Sequence, residues 1–389
     1  MTTVTCQRWI SDQHRDIFCK YLKPLMDANS GWLMYAIDDN MADLHIPKYN
    51  RGRAAFEGEQ VQNNIREMLN TADFVVTTTD YIKNFYHKHY GVPIENIIAA
   101  PNLLPKWWFG DRYDVDKKIE QFKKFKAKPR IGIVSSLSHY NIDNVREDIN
   151  GKAVRKQKKE DGTEVWINED KIEISEAETK IITDDIDEIL DCIRSTVNDV
   201  QWVFFGYCPD KLKDLVDSKK IEVHGGVPIL NYPSKLENLQ LQAIVAPIKD
   251  MEFNRCKSHI KYMECAALSV PLFASNYLPY NRVMPQSQLF STGDELKKMI
   301  LDLKFKSVGA YKNIIEQQWK WFHTPCIEGD FNLNNYWLED NLGMWVDMLK
   351  LRSKTLKISF NKFKTQYEAR LKAEAENTIY KNENIQIMK

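Results

Sequence analysis

The chain has 389 residues with 54 basic and 54 acidic side chains, so its formal net charge is zero. That balance excludes a global pull toward nucleic acid or anionic lipid, though not a local basic patch. The length suits two domains. Seven cysteines without CxxC or paired spacing predict a reducing, cytoplasmic setting and no zinc site. No charged-then-apolar leader and no run of about 18 apolar residues is present, so no membrane insertion is expected.

The first third alternates strand and helix signals. Val4 to Gln7 reads as a short strand and Asp12 to Asn29 as a helix. Trp32 to Ile37 is an apolar strand that ends in Asp38-Asp39-Asn40. Helices are expected over Glu57 to Asn70 and Asp80 to Tyr90, the second closed by Gly91. Strands are expected over Phe74 to Thr78 and Ile97 to Ala100. This order predicts a parallel sheet with helices on its faces. Strand-end carboxylates in such a sheet lie where ligands bind. Asp38 or Asp39 could therefore accept a proton from, or orient, a hydroxyl substrate; the alternative is a capping role.

A basic, poorly apolar stretch, Lys117 to Lys128, precedes a new strand at Arg130 to Val134 and marks a domain boundary. The expected division is 1–128, 129–310 with an insertion at 144–180, and a helical segment 311–389. In the second part, helices at Asp184 to Ser195, Pro209 to Ser218 and Tyr232 to Leu239 alternate with strands at Gln201 to Phe205, Ile221 to His224 and Ala243 to Ala246. That is a near-complete Rossmann-like unit. Gly206 would allow close approach of a nucleotide, and Gly225-Gly226-Val227-Pro228 would flank its base. The insertion reads as a β-hairpin turning at Asp161-Gly162. Its arm Lys152 to Lys159 has five basic residues and no acid. It is either a solvated charged hairpin or a phosphate-tracking finger in which Lys156, Lys158 and Trp166 contact nucleic acid. The patch Lys106-Trp107-Trp108 suits the same polyanionic acceptor. Toward the C-terminus, Trp319, Trp321 and Phe322 read as core, Trp337 to Leu351 as a helix crossing back, and Lys354 to Lys389 as charged and helix-prone.

The densest signal is Glu252 to Pro271, EFNRCKSHIKYMECAALSVP, between two apolar strands. Its loop brings Asn254, Arg255 and Lys257 to a helix start, which attracts anions. Lys257, Lys261 and Glu264, spaced i, i+4, i+7, would share one helical face. The arrangement suits a diphosphate on the cations and a ribose diol on Glu264; the alternative is a solvated helix edge.

Phe253-Asn254, Lys257-Ser258, Ile260-Lys261-Tyr262-Met263-Glu264, Val270-Pro271, Ala274-Ser275 and Pro279-Tyr280 together resemble the donor motif of GT-B glycosyltransferases, near the retaining group with a Glu-x7-Glu pair. The first glutamate of that pair falls at Cys256, with Glu252 as an offset substitute. Tyr35-Ala36-Ile37-Asp38-Asp39-Asn40 and Ser135-Ser136-Leu137-Ser138-His139 with Asp143 resemble two further loops of the same group. The resemblance implies two Rossmann-like domains facing a cleft, the first abbreviated because only about thirty residues precede its Asp-Asp strand. It implies sugar transfer from a UDP-sugar with retention. Lys257, Arg255, Asp38 and Asp39 would be catalytic, and His139, Gly206, Asn254, Ser258, Lys261 and Glu264 would bind donor. With no Asp-x-Asp expected after a strand, no essential metal or other cofactor is predicted. Similarity to phage-encoded members makes hydroxymethylated cytosine in duplex DNA the first expected acceptor, taken out of the stack. A surface glycan is the second, and a non-catalytic nucleotide-sugar-binding protein the third reading. The sequence leaves the oligomeric state open.

Overall fold

The computed structural model describes residues 2–41, 45–110, 112–345 and 347–348. Residues 1–339 form one compact unit; of the second unit, 340–389, only 340–345 and 347–348 are described. The expected helix over Trp337 to Leu351 lies partly, and the segment Lys354 to Lys389 wholly, outside the described residues.

Within the first unit, β1 (Thr3–Gln7), β2 (Trp32–Ala36), β3 (Phe74–Thr77) and β4 (Ile97–Ala99) make a parallel sheet in sequential order. Helical turns of α, π and α type cover 12–28, and helices Glu59–Thr71 and Asp80–Tyr90 follow. The last is capped by the Thr79 hydroxyl, which accepts from the Ile82 N–H, and ends at Gly91 with φ of 70°. Phe18, Leu33, Tyr35, Ile65, Met68 and Ile82 form its core.

The second sheet is built from β5 (Arg130–Ser135), β11 (Gln201–Gly206), β12 (Ile221–Gly225), β13 (Ala243–Ala246), β14 (Leu272–Ser275) and β15 (Leu289–Phe290). All its pairings are parallel, in the order β12-β11-β5-β13-β14-β15. Counting only these six strands, this is the 3-2-1-4-5-6 order of a doubly wound sheet. Apolar runs such as Trp202-Val203-Phe204-Phe205 are buried on both faces, as parallel strands between helices require. The order reverses between β5 and β13, and a crevice opens beyond the carboxyl ends of those two strands.

The insertion is more than a hairpin. β6 (Arg146–Glu147), β7 (Ala153–Lys158), β8 (Glu164–Asn168), β9 (Glu173–Ile174) and β10 (Lys180–Ile181) form a five-stranded antiparallel sheet. The expected hairpin is its centre, turning at Gly162 with φ of 87°. This sheet braces the segment after Asp39. Arg51 donates to both Asp143 oxygens at 2.9 and 2.5 Å. Lys48 meets Glu147 at 2.9 Å, and Tyr49 is buried against Val145 and Ala153.

After helix Val308–His323 the chain returns to the first sheet. The Asp330 N–H donates to the Ala99 carbonyl, and Leu338 and Leu104 are bonded through the backbone. Phe322 is core as expected, whereas Trp319 and Trp321 are only part-buried. All seven cysteines are free, and no helix among the described residues is long and apolar enough to cross a membrane.

Candidate active site

Two pockets meet beyond the switch point. The larger, about 480 Å³, lies between the sheets and is lined by Arg8, Asp38, Asp39, His139, Lys257 and Ser258 among others. The second, about 400 Å³, is lined by Trp108, Phe205, Gly206, Val227, Tyr232 and Glu264. Lys261 lines both.

Asp38 and Asp39 follow β2 into the larger pocket and differ sharply. Asp38 takes a bidentate bond from Arg8, at 2.5 and 2.6 Å. Arg8 follows β1 in the left-handed region, φ 53°, an uncommon conformation for a side chain of its size. Asp39 is only 3.4 Å from the same guanidinium. Burial pushes its carboxyl up, while the Lys257 ammonium pulls it back. Asp39 is thus the carboxylate better suited to receive a proton.

Across the cleft, His139 Nδ1 is 2.7 Å from Asp185 and its Nε2 is 3.3 Å from Lys257 Nζ. Burial, and then the Lys257 charge, hold His139 below its usual range. Burial likewise holds Lys257 down, against the pull of Asp185 and Asp39. Lys261 behaves differently. Burial works against its charge, but Glu264 at 2.6 Å and the Tyr232 hydroxyl at 2.9 Å outweigh it and hold the ammonium well above its usual range. Tyr232 also donates to Glu264 at 2.8 Å and stacks on Phe205. Gly206 sits at φ 105°, where a Cβ would lie 2.3 Å from the Ser135 carbonyl oxygen. Its glycine is required by the neighbouring strand as well as by any ligand.

The structure brings Asp38, Asp39, His139, Lys257, Ser258 and Lys261 around the larger pocket, and Gly206 and Glu264 around the second. Other expected residues lie elsewhere. The motif region is two helices, Glu252–Arg255 and Ile260–Ala267, so Lys257 precedes the helix that carries Lys261 and Glu264 and does not share its face. Asn254 is buried and binds Asp185 and the Lys249 carbonyl, both at 3.0 Å. Arg255 forms a bidentate pair with Asp250 and opens onto a separate pocket of about 220 Å³. Glu252 accepts from the Tyr81 hydroxyl, and Asp143 serves Arg51.

The expected acceptor residues do not converge on the cleft. Trp107 is 70 % exposed, while its neighbour Trp108 lines the second pocket and donates to the Ile229 carbonyl at 3.0 Å. Lys106 lies beside Trp107, its backbone N–H bonded to Glu339. Trp166 is buried and its ring is covered by the Arg146 guanidinium at 4.6 Å, so it has no face for a base. Lys152 pairs with Asp170, Lys156 with Glu164 at 2.6 Å and Lys159 with Glu173 at 2.8 Å. Lys158 is exposed on the same arm. From Arg146 to Ile181 acids outnumber basic residues, so the insertion is no cationic finger.

Sequence reasoning missed Arg8, Asp185 and Tyr232, and assigned Trp108 to the acceptor, whereas it lines the second pocket. Tyr232 alone had a signal, an aromatic at a helix start following the strand and Gly-Gly turn of the nucleotide side. An Asp-x-Asp also follows β10, as Asp185-Ile186-Asp187. Its carboxylates diverge: Asp185 binds His139, and Asp187 takes Lys211 at 2.8 Å. No group of three or more His, Cys, Asp or Glu side chains placed to hold a metal occurs among the described residues.

No protein-family model matches the chain, and no curated protein sequence matches it. Solved structures do. TarM superposes with a TM-score of 0.51 at 12 % identity, over 89 % of this chain and 54 % of TarM. The fold is GT-B. A variant of S. aureus TarM in complex with fondaparinux, alpha-GlcNAc-glycerol and UDP gives a TM-score of 0.47 at 12 % identity, over 82 % of this chain and 50 % of that one. Anabaena HepE in complex with UDP-glucose gives 0.46 at 9 %, over 89 % and 77 %. The chain thus spans about half the length of TarM.

Proposed function

We propose that this chain is a glycosyltransferase that moves a sugar from a UDP-sugar to a hydroxyl acceptor. The observation that carries this is the placing of two part-buried lysines, Lys257 and Lys261, where the two pockets meet at the switch point. The aromatic pocket takes the nucleoside, and Trp108, Phe205 and Tyr232 supply its walls. The diphosphate lies on Lys257, Lys261 and Ser258. The sugar lies in the larger pocket, facing Asp39.

In the reaction the bond from the anomeric carbon to the diphosphate oxygen breaks and a bond from the acceptor oxygen forms. Charge developing on the diphosphate falls on cations already in place, which is where preorganised electrostatics contributes most. The acceptor proton passes to Asp39. Arg8 commits Asp38 to a fixed geometry beside it.

The polyanionic acceptor expected from the sequence, hydroxymethylcytosine in duplex DNA, came from a resemblance to phage-encoded members, with a basic finger as its support in the residues. Because that finger's lysines are largely paired with acids and Trp166 is buried, the favoured acceptor is a neutral carbohydrate hydroxyl. The test is UDP release from a panel of UDP-sugars, with oligosaccharides or with hydroxymethylcytosine duplex as acceptor. Release stimulated by an oligosaccharide supports the proposal as stated. Release stimulated by the duplex keeps the transferase and replaces the acceptor. Binding of UDP-sugars without release under any condition overturns it.

A further inference from the structure

Asp185 is not among the expected site residues, yet three segments converge on it. It lies where the inserted sheet rejoins the second sheet's fold, with its side chain 2 % exposed. Oδ1 accepts from the Lys249 backbone N–H at 2.9 Å and from Asn254 Nδ2 at 3.0 Å. Oδ2 faces His139 Nδ1 at 2.7 Å. A carboxylate only accepts, and a neutral imidazole has one N–H. The His139 proton is therefore on Nδ1, and Nε2 keeps a lone pair directed at Lys257 Nζ, 3.3 Å away.

We propose that Asp185 is a positioning residue that fixes His139 in the Nδ1–H tautomer, so that Nε2 accepts from Lys257 and aims its ammonium into the cleft. The proposal rests on the glycosyl-transfer reading only for the purpose of that aim. Without an acceptor at Nε2, the ammonium turns toward Asp39, the other carboxylate whose field reaches it. It would then neutralise the proton acceptor and vacate the seat of the diphosphate. Burial keeps the ring neutral near pH 7, which the tautomer requires.

Asp185→Asn is a directed test because the two donors at Oδ1 fix the new amide. Its carbonyl must stay toward Lys249 and Asn254, so its NH2 faces His139. The ring must then accept at Nδ1 and carry its proton on Nε2, pointed at an ammonium. In the full chain labelled with 15N-histidine, the His139 ring signals are identified by their loss in His139→Gln. We expect the unmodified protein to show a protonated Nδ1 and an unprotonated Nε2, and Asp185→Asn to show the reverse. We also expect UDP release to fall on the order of 10- to 100-fold, by analogy with the loss of an outer partner that orients a metal-ligating histidine. An Nε2–H tautomer in the unmodified protein overturns the proposal, and that measurement needs neither the variant nor a substrate. A reversed tautomer with unchanged UDP release overturns the positioning role. Should no UDP-sugar be turned over by the unmodified protein, the glycosyl-transfer reading fails while the tautomer is still decided by the spectra.

Discussion

The two lysine-bearing regions of this chain look alike on paper and opposite in space. In the inserted sheet, Lys152, Lys156 and Lys159 reach into solvent and meet acids on other strands or turns of the same sheet. At the switch point, Lys257 and Lys261 are part-buried and face a cavity. Exposed pairs contribute roughly 0–1 kcal/mol each, whereas a buried cation must be matched or its charge is disfavoured. A basic run therefore says little until its partners are known, and two lysines four residues apart say more once both are enclosed.

The comparison is put at greatest risk at Glu264. Its carboxylate is buried, and it is the anion that holds Lys261. Glu264→Ala leaves that cation enclosed without its partner, a change that costs about 3–5 kcal/mol. The expected outcome is a large drop in the urea midpoint together with loss of UDP release. Glu264→Gln, which keeps an oxygen for the Tyr232 hydroxyl, should lose less stability. A Glu264→Ala protein as stable as the original would show that Lys261 is not enclosed as described.

Lys257 is the contrasting case, because its environment disfavours its charge. Lys257→Met should reduce UDP release by about 100-fold, the scale of one preorganised electrostatic contact, while raising stability at neutral pH. The sign follows from linkage. Burial lowers the Lys257 pKa in the folded chain, so the folded state binds that proton less tightly than the unfolded one. The cost is complete below the lowered value and vanishes above the ordinary lysine value of about 10.4. The advantage of Lys257→Met should accordingly fade as pH rises through that window. Urea midpoints measured across alkaline pH check it, and an advantage independent of pH would remove titration of Lys257 as its cause.

Much of this was legible in the sequence for local reasons. Apolar runs such as Ile131-Gly132-Ile133-Val134 and Ala243-Ile244-Val245-Ala246 announce buried parallel strands, and the residues following them fall at the strand ends where ligands bind. Lys257 was found that way, and His139 by the resemblance of its loop. What was not legible depends on non-local register. The acid that neutralises Lys159 is Glu173, two strands along, and the two-residue strands β6, β9 and β10 are too short to show a period. Asp185 is separated from His139 by the whole insertion, so only tertiary structure makes them partners. The helical face assumed for Lys257 failed because the chain turns between Arg255 and Ile260.

The smallest expected effect is the most useful for separating the two regions. Replacing both Lys156 and Lys158 by alanine removes two solvent-facing charges of the basic arm and one exposed pair with Glu164. Stability should change by no more than about 1 kcal/mol, and UDP release should be unaltered, since neither residue lines the cleft. Duplex DNA supplies the sharper reading. A protein that neutralises phosphates with these lysines binds with an affinity that falls steeply with salt, and each lost contact lowers the slope by about one. We expect weak binding whose slope is the same in the original and the double variant. A steep slope that drops by about two in the variant would mean that the pairs with acids open on contact with DNA. The insertion would then belong to acceptor recognition, and the contrast between its lysines and those at the switch point would be one of timing rather than of kind.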